Sequence, residues 1–119
     1  MTNNQEDLFR KFNVKPEEIF DGSSLIPLPI EWIHSIIENA IENIKNPIPT
    51  GKNFHRTERR VVLIFNEQSD AEDFEKRLNM MIPKSINSFI ASQDKNPKDY
   101  YRALVTQTTI NDGVLTISY

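Results

Sequence analysis

The sequence predicts an α+β fold, a three-stranded antiparallel sheet covered by two helices. Three features point there. Val61 to Phe65 is an unbroken run of five apolar residues, which suits a strand buried on both faces. Asp112-Gly113 separates two β-rich runs, RALVTQTTI and VLTISY, a strong short-range hairpin signal. Ile30, Ile33, Ile37, Ile41 and Ile44 recur three and four apart, the spacing of one helix face.

The elements follow in chain order. Residues 1–6 are polar and are expected to be mobile. Asp7–Phe12 reads as a short helical turn, with Leu8 and Phe12 four apart. Lys15–Phe20 reads as a second turn, with Pro16 at its first helical position and acidic residues after it. Asp21-Gly22-Ser23-Ser24 breaks it. Leu25–Pro29 is expected to be extended, because each proline disfavours helix at the residue before it. A helix is predicted over 29–46, with Ile36 and Ala40 widening its stripe and Pro47 stopping it. Trp32 sits beside the stripe.

Residues 46–58 carry two prolines and a glycine and read as a long connection. A strand follows over 59–66. Ser69-Asp70-Ala71-Glu72 has the form of a capping box, starting a helix over 70–82 that Pro83 is expected to end. Ile86, Phe89 and Ile90 suggest a further short helix, and Ser92–Asp99 a polar loop. The hairpin is placed over 101–119. With Asp112-Gly113 as its two-residue turn, Ile110 opposes Leu115 and Thr108 opposes Ile117. Leu104, Thr106, Thr108, Ile110, Leu115, Ile117 and Tyr119 then share the more apolar face.

Size and composition bound the function. A chain of 119 residues is expected to form a single domain, residues 1–119, with one core that needs no metal or disulfide. The absence of cysteine excludes disulfides, thiolate zinc sites and Cys nucleophiles. The net charge of −3 is ordinary and argues against a surface built entirely for nucleic acid. No stretch approaches the ~18 apolar residues of a membrane span, and the N-terminus lacks a signal-peptide pattern. A cytoplasmic protein is expected, with no membrane association. Asn and Ile together make up roughly a quarter of the chain, which suggests an AT-rich bacterial or phage source.

Candidate chemistry is sparse. Glu31-x-x-His34 has the spacing that di-iron bundles use twice, but it occurs once here, so no metal site is expected. There is no G-x-S-x-G, and Thr50-Gly51-Lys52 has only the tail of a phosphate loop. No cofactor is expected. The one dense basic cluster is Lys52, His55, Arg56, Arg59 and Arg60, with Phe54 interleaved. Cations there would neutralise phosphates while Phe54 stacks on a base. The competing reading is a solvated loop whose charges guard the entrance to a very apolar strand.

Helix, strand, two helices and hairpin is also the chain order of the winged-helix fold, which this order resembles. That resemblance implies DNA binding through the segment Lys84–Gln93. The segment carries one basic residue, and the hairpin tip Asn111-Asp112-Gly113 is acidic, both poor for contact with phosphates.

The function expected is non-enzymatic protein binding, as an adaptor, inhibitor or assembly factor, with a phage or mobile element as one expected source and a homodimer as one expected state. A small sheet has edges, and edges pair with other strands unless blocked. The first alternative is nucleic-acid binding through residues 52–60. The second is a small enzyme whose site carries no recognisable motif.

Overall fold

The computed structural model describes residues 25–119. The expected mobile segment 1–6 and the turns over 7–12 and 15–20 lie outside these residues. The fold class is as predicted, α+β with an antiparallel sheet, but the sheet has four strands rather than three. Its strands are β2 (Gly51–His55), β3 (Arg60–Ile64), β5 (Gln107–Asn111) and β6 (Val114–Ser118). They lie in the order β2-β3-β6-β5, with every neighbouring pair antiparallel. Two short segments, β1 (Ile26–Pro27) and β4 (Tyr100–Tyr101), form a separate parallel pair.

The extra strand is β2, which falls in the stretch expected to be a loop. Four of its five residues are exposed, so it has no apolar alternation to read. An edge strand needs only one row of backbone partners. Here Phe54 faces Val61 and Lys52 faces Leu63, and a tight turn at Arg56–Glu58 closes the hairpin. Arg59, expected to start a strand, instead ends that turn in the left-handed conformation at φ 53°. The strand therefore runs over 60–64, not 59–66.

Helix α1 spans Ile30–Asn43, slightly inside the predicted 29–46, and buries Ile36, Ile37, Ala40 and Ile41. The Asn46–Pro47 peptide bond after it is cis. Helix α2 spans Gln68–Ser92 and departs further from expectation. It runs through Pro83 and absorbs the short helix expected after it. An interior proline costs about 3 kcal/mol. The buried stripe Ala71, Phe74, Leu78, Ile82, Ile86 and Ile90 keeps helical phase across Pro83. Burying the isoleucines beyond it contributes about 1.5–3 kcal/mol each, which outweighs that cost. The capping box does not form: Glu67 is the N-cap and makes no side-chain cap bond. Gln68 instead ties the helix start to the hairpin, its Oε1 accepting from Gly113 N at 2.8 Å.

The hairpin β5–β6 has the predicted register, Thr108 opposite Ile117 and Ile110 opposite Leu115. Asp112 and Gly113 both have positive φ, as a type I′ turn requires. The hairpin is shorter than the 101–119 expected. Gln107 pairs with Ser118, and residues 102–106 form no ladder pair with β6.

Both helices lie on one face of the sheet. Ile37, Ile41, Leu63, Phe65, Phe74 and Leu78 are all buried there, with Val61, Leu115 and Ile117. Trp32 closes one end, its ring 5.6 Å from Phe89 and 5.3 Å from Tyr100. No helix among the described residues is long and apolar enough to cross a membrane.

Candidate functional site

The basic cluster is divided by the geometry of β2 and its turn. Lys52 and Phe54 share the helix-side face with Leu63 and Val61, while His55 pairs with Arg60 on the opposite face. Lys52, Arg56 and Arg60 each have an acidic partner, while His55 and Arg59 have none among the described residues. Lys52 Nζ lies 2.7 Å from Glu42 Oε2. Arg56 grips Glu38 with two bonds, Nε to Oε2 at 2.8 Å and Nη2 to Oε1 at 2.6 Å, and its Nη1 is 3.8 Å from Glu31. Arg60 Nη2 is 2.6 Å from Glu58. These exposed pairs add little stability. Their consequence is electrostatic: the carboxylates beside Lys52, Arg56 and Arg60 cancel much of the local field that phosphate steering needs. The hydrogen bonds to Glu38 and its charge hold the Arg56 guanidinium protonated above its ordinary range.

Arg59 packs elsewhere, its guanidinium carbon 5.6 Å from the centre of the Tyr119 ring. Tyr119 in turn meets His34, buried on α1, with its hydroxyl 2.5 Å from Nδ1. Burial, and then the charge of Glu38, raise the Tyr119 phenol above its usual value near 10. The phenol thus keeps its proton, and the imidazole tautomer of His34 sets which of the two groups donates. Glu31 is drawn toward Arg56 and His34 toward Tyr119, so the Glu31-x-x-His34 pair is split between two partners. Beside Tyr119 opens a cleft of about 600 Å³ lined by Ile33, Arg59, Leu104, Val105 and Ser118 among others. No local sequence signal marks this His–Tyr–Arg cluster, since His34 and Tyr119 are 85 residues apart.

One expected result follows from the phenol. A raised folded-state value means that the folded chain holds this proton more tightly than the unfolded chain. The associated stability is full below the unfolded value near 10 and falls as pH rises through the folded value. Denaturation midpoints measured from pH 8 to pH 11 should therefore decline in the wild type. Tyr119→Phe should flatten that decline, and an identical slope in both proteins would refute the assignment.

The second feature is the face of the sheet that neither described helix covers. Val62, Ile64, Val114 and Thr116 lie at its centre, and Ile64 is 40% exposed. Asn53, His55, Thr109 and Asn111 flank them on the outer strands. Gly51 stands opposite Ile64, and a Cβ there would come within 3.3 Å of the Ile64 side chain, so the glycine leaves room for it. One edge is β2. The other is β5, QTTIN, which carries no charge and no proline.

Helix α2 is continuous where a helix-turn-helix needs its turn, so the described residues hold no such unit. They also hold no group of three His, Asp or Glu side chains placed to bind a metal ion. In comparisons with known proteins, no family matches the chain, and no match was found among curated proteins or solved structures.

Proposed function

We propose that this is a non-enzymatic protein-binding domain, of the adaptor, inhibitor or assembly-factor kind, acting in the cytoplasm of a bacterium or phage-infected cell. Its working surface is the open sheet face and the adjoining edge β5. The observation that carries the reading is the one-sided cover of the sheet. Both helices occupy the same face and leave Val62, Ile64 and Val114 on the other. The uncharged edge β5 supports it, because such edges accept another strand.

A second copy is the first partner to consider. Antiparallel pairing of two β5 strands about Thr109 sets Thr108 against Ile110 and Gln107 against Asn111, with no like charges opposed. Sedimentation over a dilution series from about 1 to 100 μM should show a reversible dimer. Thr108→Pro removes a donor that points out of the free edge, since Thr109 is spent on its ladder pair with Thr116, and should leave a folded monomer. A wild type that stays monomeric throughout would end the homodimer and leave the sheet face for a different protein.

Nucleic-acid binding through Lys52, Phe54, His55, Arg56, Arg59 and Arg60 ranks second. Arg59 favours it, being exposed with no carboxylate partner among the described residues. The same preparation, titrated with single- and double-stranded oligonucleotides, separates the two. Tight, salt-sensitive binding that is lost on replacing Arg56, Arg59 and Arg60 by Ala would reverse the ranking.

A further inference from the structure

The cleft beside Tyr119 is built from separate parts of the chain. Helix α1 contributes Ile33, the unpaired segment before β5 contributes Leu104 and Val105, and the turn before β3 contributes Glu58 and Arg59. Its volume of about 600 Å³ falls within the ~300–1,000 Å³ of small-molecule sites. Val105 is 78% exposed, so part of the apolar wall stands in water. Arg59 has φ 53°, a conformation disfavoured for an L-residue. Such strain persists where the surroundings over-determine it. Here Arg59 is held from both sides: its N–H donates to Arg56 O at 2.9 Å, and its own O accepts from Tyr119 N at 3.0 Å.

That backbone sets a guanidinium at the cleft. The Arg59 guanidinium carbon lies 5.6 Å from the centre of the Tyr119 ring. The ring is itself fixed, its hydroxyl 2.5 Å from Nδ1 of buried His34. A guanidinium over a ring keeps its in-plane N–H donors for another partner. No described carboxylate takes them. The other charged residue lining the cleft, Glu58, lies 2.6 Å from Arg60 Nη2 and is balanced by it. The cleft therefore carries one uncompensated positive charge beside an apolar wall.

We infer that this cleft binds a small carboxylate carried on an apolar body. A carboxylate fits the guanidinium fork with two parallel hydrogen bonds. Its single charge balances that of Arg59, whereas a doubly charged phosphate would leave one charge over. The apolar body covers Ile33, Leu104 and Val105 and removes their surface from water. Two sources carry this chemistry: a free acid with an aromatic or branched body, and the C-terminus of a peptide that ends in an apolar residue.

The test is an NMR titration of the isotope-labelled full chain with hydrocinnamate and with its uncharged amide. Hydrocinnamate should shift the backbone signals of Ile33, Arg59, Val105 and Tyr119, and the amide should bind at least about tenfold more weakly. Arg59→Gln should reduce the affinity for hydrocinnamate to that for the amide. Val105→Asp, at an exposed position, adds a carboxylate to the wall and should do the same. Acetyl-Gly-Gly-Phe as the free acid separates the sources. Tighter binding than hydrocinnamate assigns the cleft to a peptide C-terminus, and equal or weaker binding assigns it to a free acid. Equal affinity for acid and amide, an affinity unchanged in Arg59→Gln, or no shift at millimolar hydrocinnamate would overturn the proposal. So would shifts centred on Lys52 and Arg60, which would return Arg59 to the basic cluster.

Discussion

Replacing Phe74 with alanine should lower stability by about 3–5 kcal/mol, and replacing Leu63 with alanine by about 2–5 kcal/mol. Both side chains are fully buried. Phe74 comes from α2 and packs its ring 5.2 Å from that of Phe65, at the end of the apolar run, so its loss opens a cavity between helix and sheet. Leu63 lies on β3, which is paired on both sides, so the backbone around it has little freedom to collapse into the void. A domain of this size has about 5–15 kcal/mol in total, so either variant loses a large share. Urea denaturation should show a lower midpoint with an unchanged slope. Ile64→Ala, on the open face beside Leu63, is the control and should cost far less. Unchanged midpoints for both Phe74→Ala and Leu63→Ala would mean that the core is not built on these two side chains.

The second large effect belongs to Gly113. Its φ of +76° costs an L-residue about 1–2 kcal/mol. The space is closed as well: a Cβ at this position would lie 2.6 Å from the backbone oxygen of Phe65. That neighbour cannot step aside, because Phe65 N donates to Gly113 O at 2.8 Å and fixes the two segments together. Gly113→Val should therefore cost more than the conformational term alone and loosen the tie from Gly113 N to Gln68. Hydrogen exchange should report faster opening at Phe65 and at the start of α2. A denaturation midpoint equal to that of the wild type would contradict the close approach.

What was legible in the sequence was whatever repeats with a short period. The isoleucine ridge of α1, the apolar run of β3 and the Asp-Gly hairpin each declared themselves within a few residues. Ile37, Ile41, Leu63, Phe65, Phe74 and Leu78 are all core residues for that reason. β2 was not legible, because an exposed edge strand is held by backbone bonds and Lys52, Asn53 and His55 leave no pattern. Pro83 does not end α2, because the buried stripe that continues to Ile90 outweighs the local cost of a proline. The basic cluster was visible as composition, but its Glu38 and Glu42 partners come from a different helix. Arg56 and Glu38 are 18 residues apart, and only the fold brings them together.

The order of the sheet also governs how the chain can fold during its own synthesis. The central strand β3 pairs with β6, Ile64 opposite Val114, about fifty residues later in the chain. At roughly 5–20 residues per second, a ribosome needs about 3–10 s to make that stretch. Until it does, the Val61–Phe65 run has only β2 beside it, and the sheet edge it will give to β6 stays unpaired. The nascent chain thus spends seconds with its most apolar strand unsealed, covered among the described residues by α1, made before it, and by α2, made in the interval.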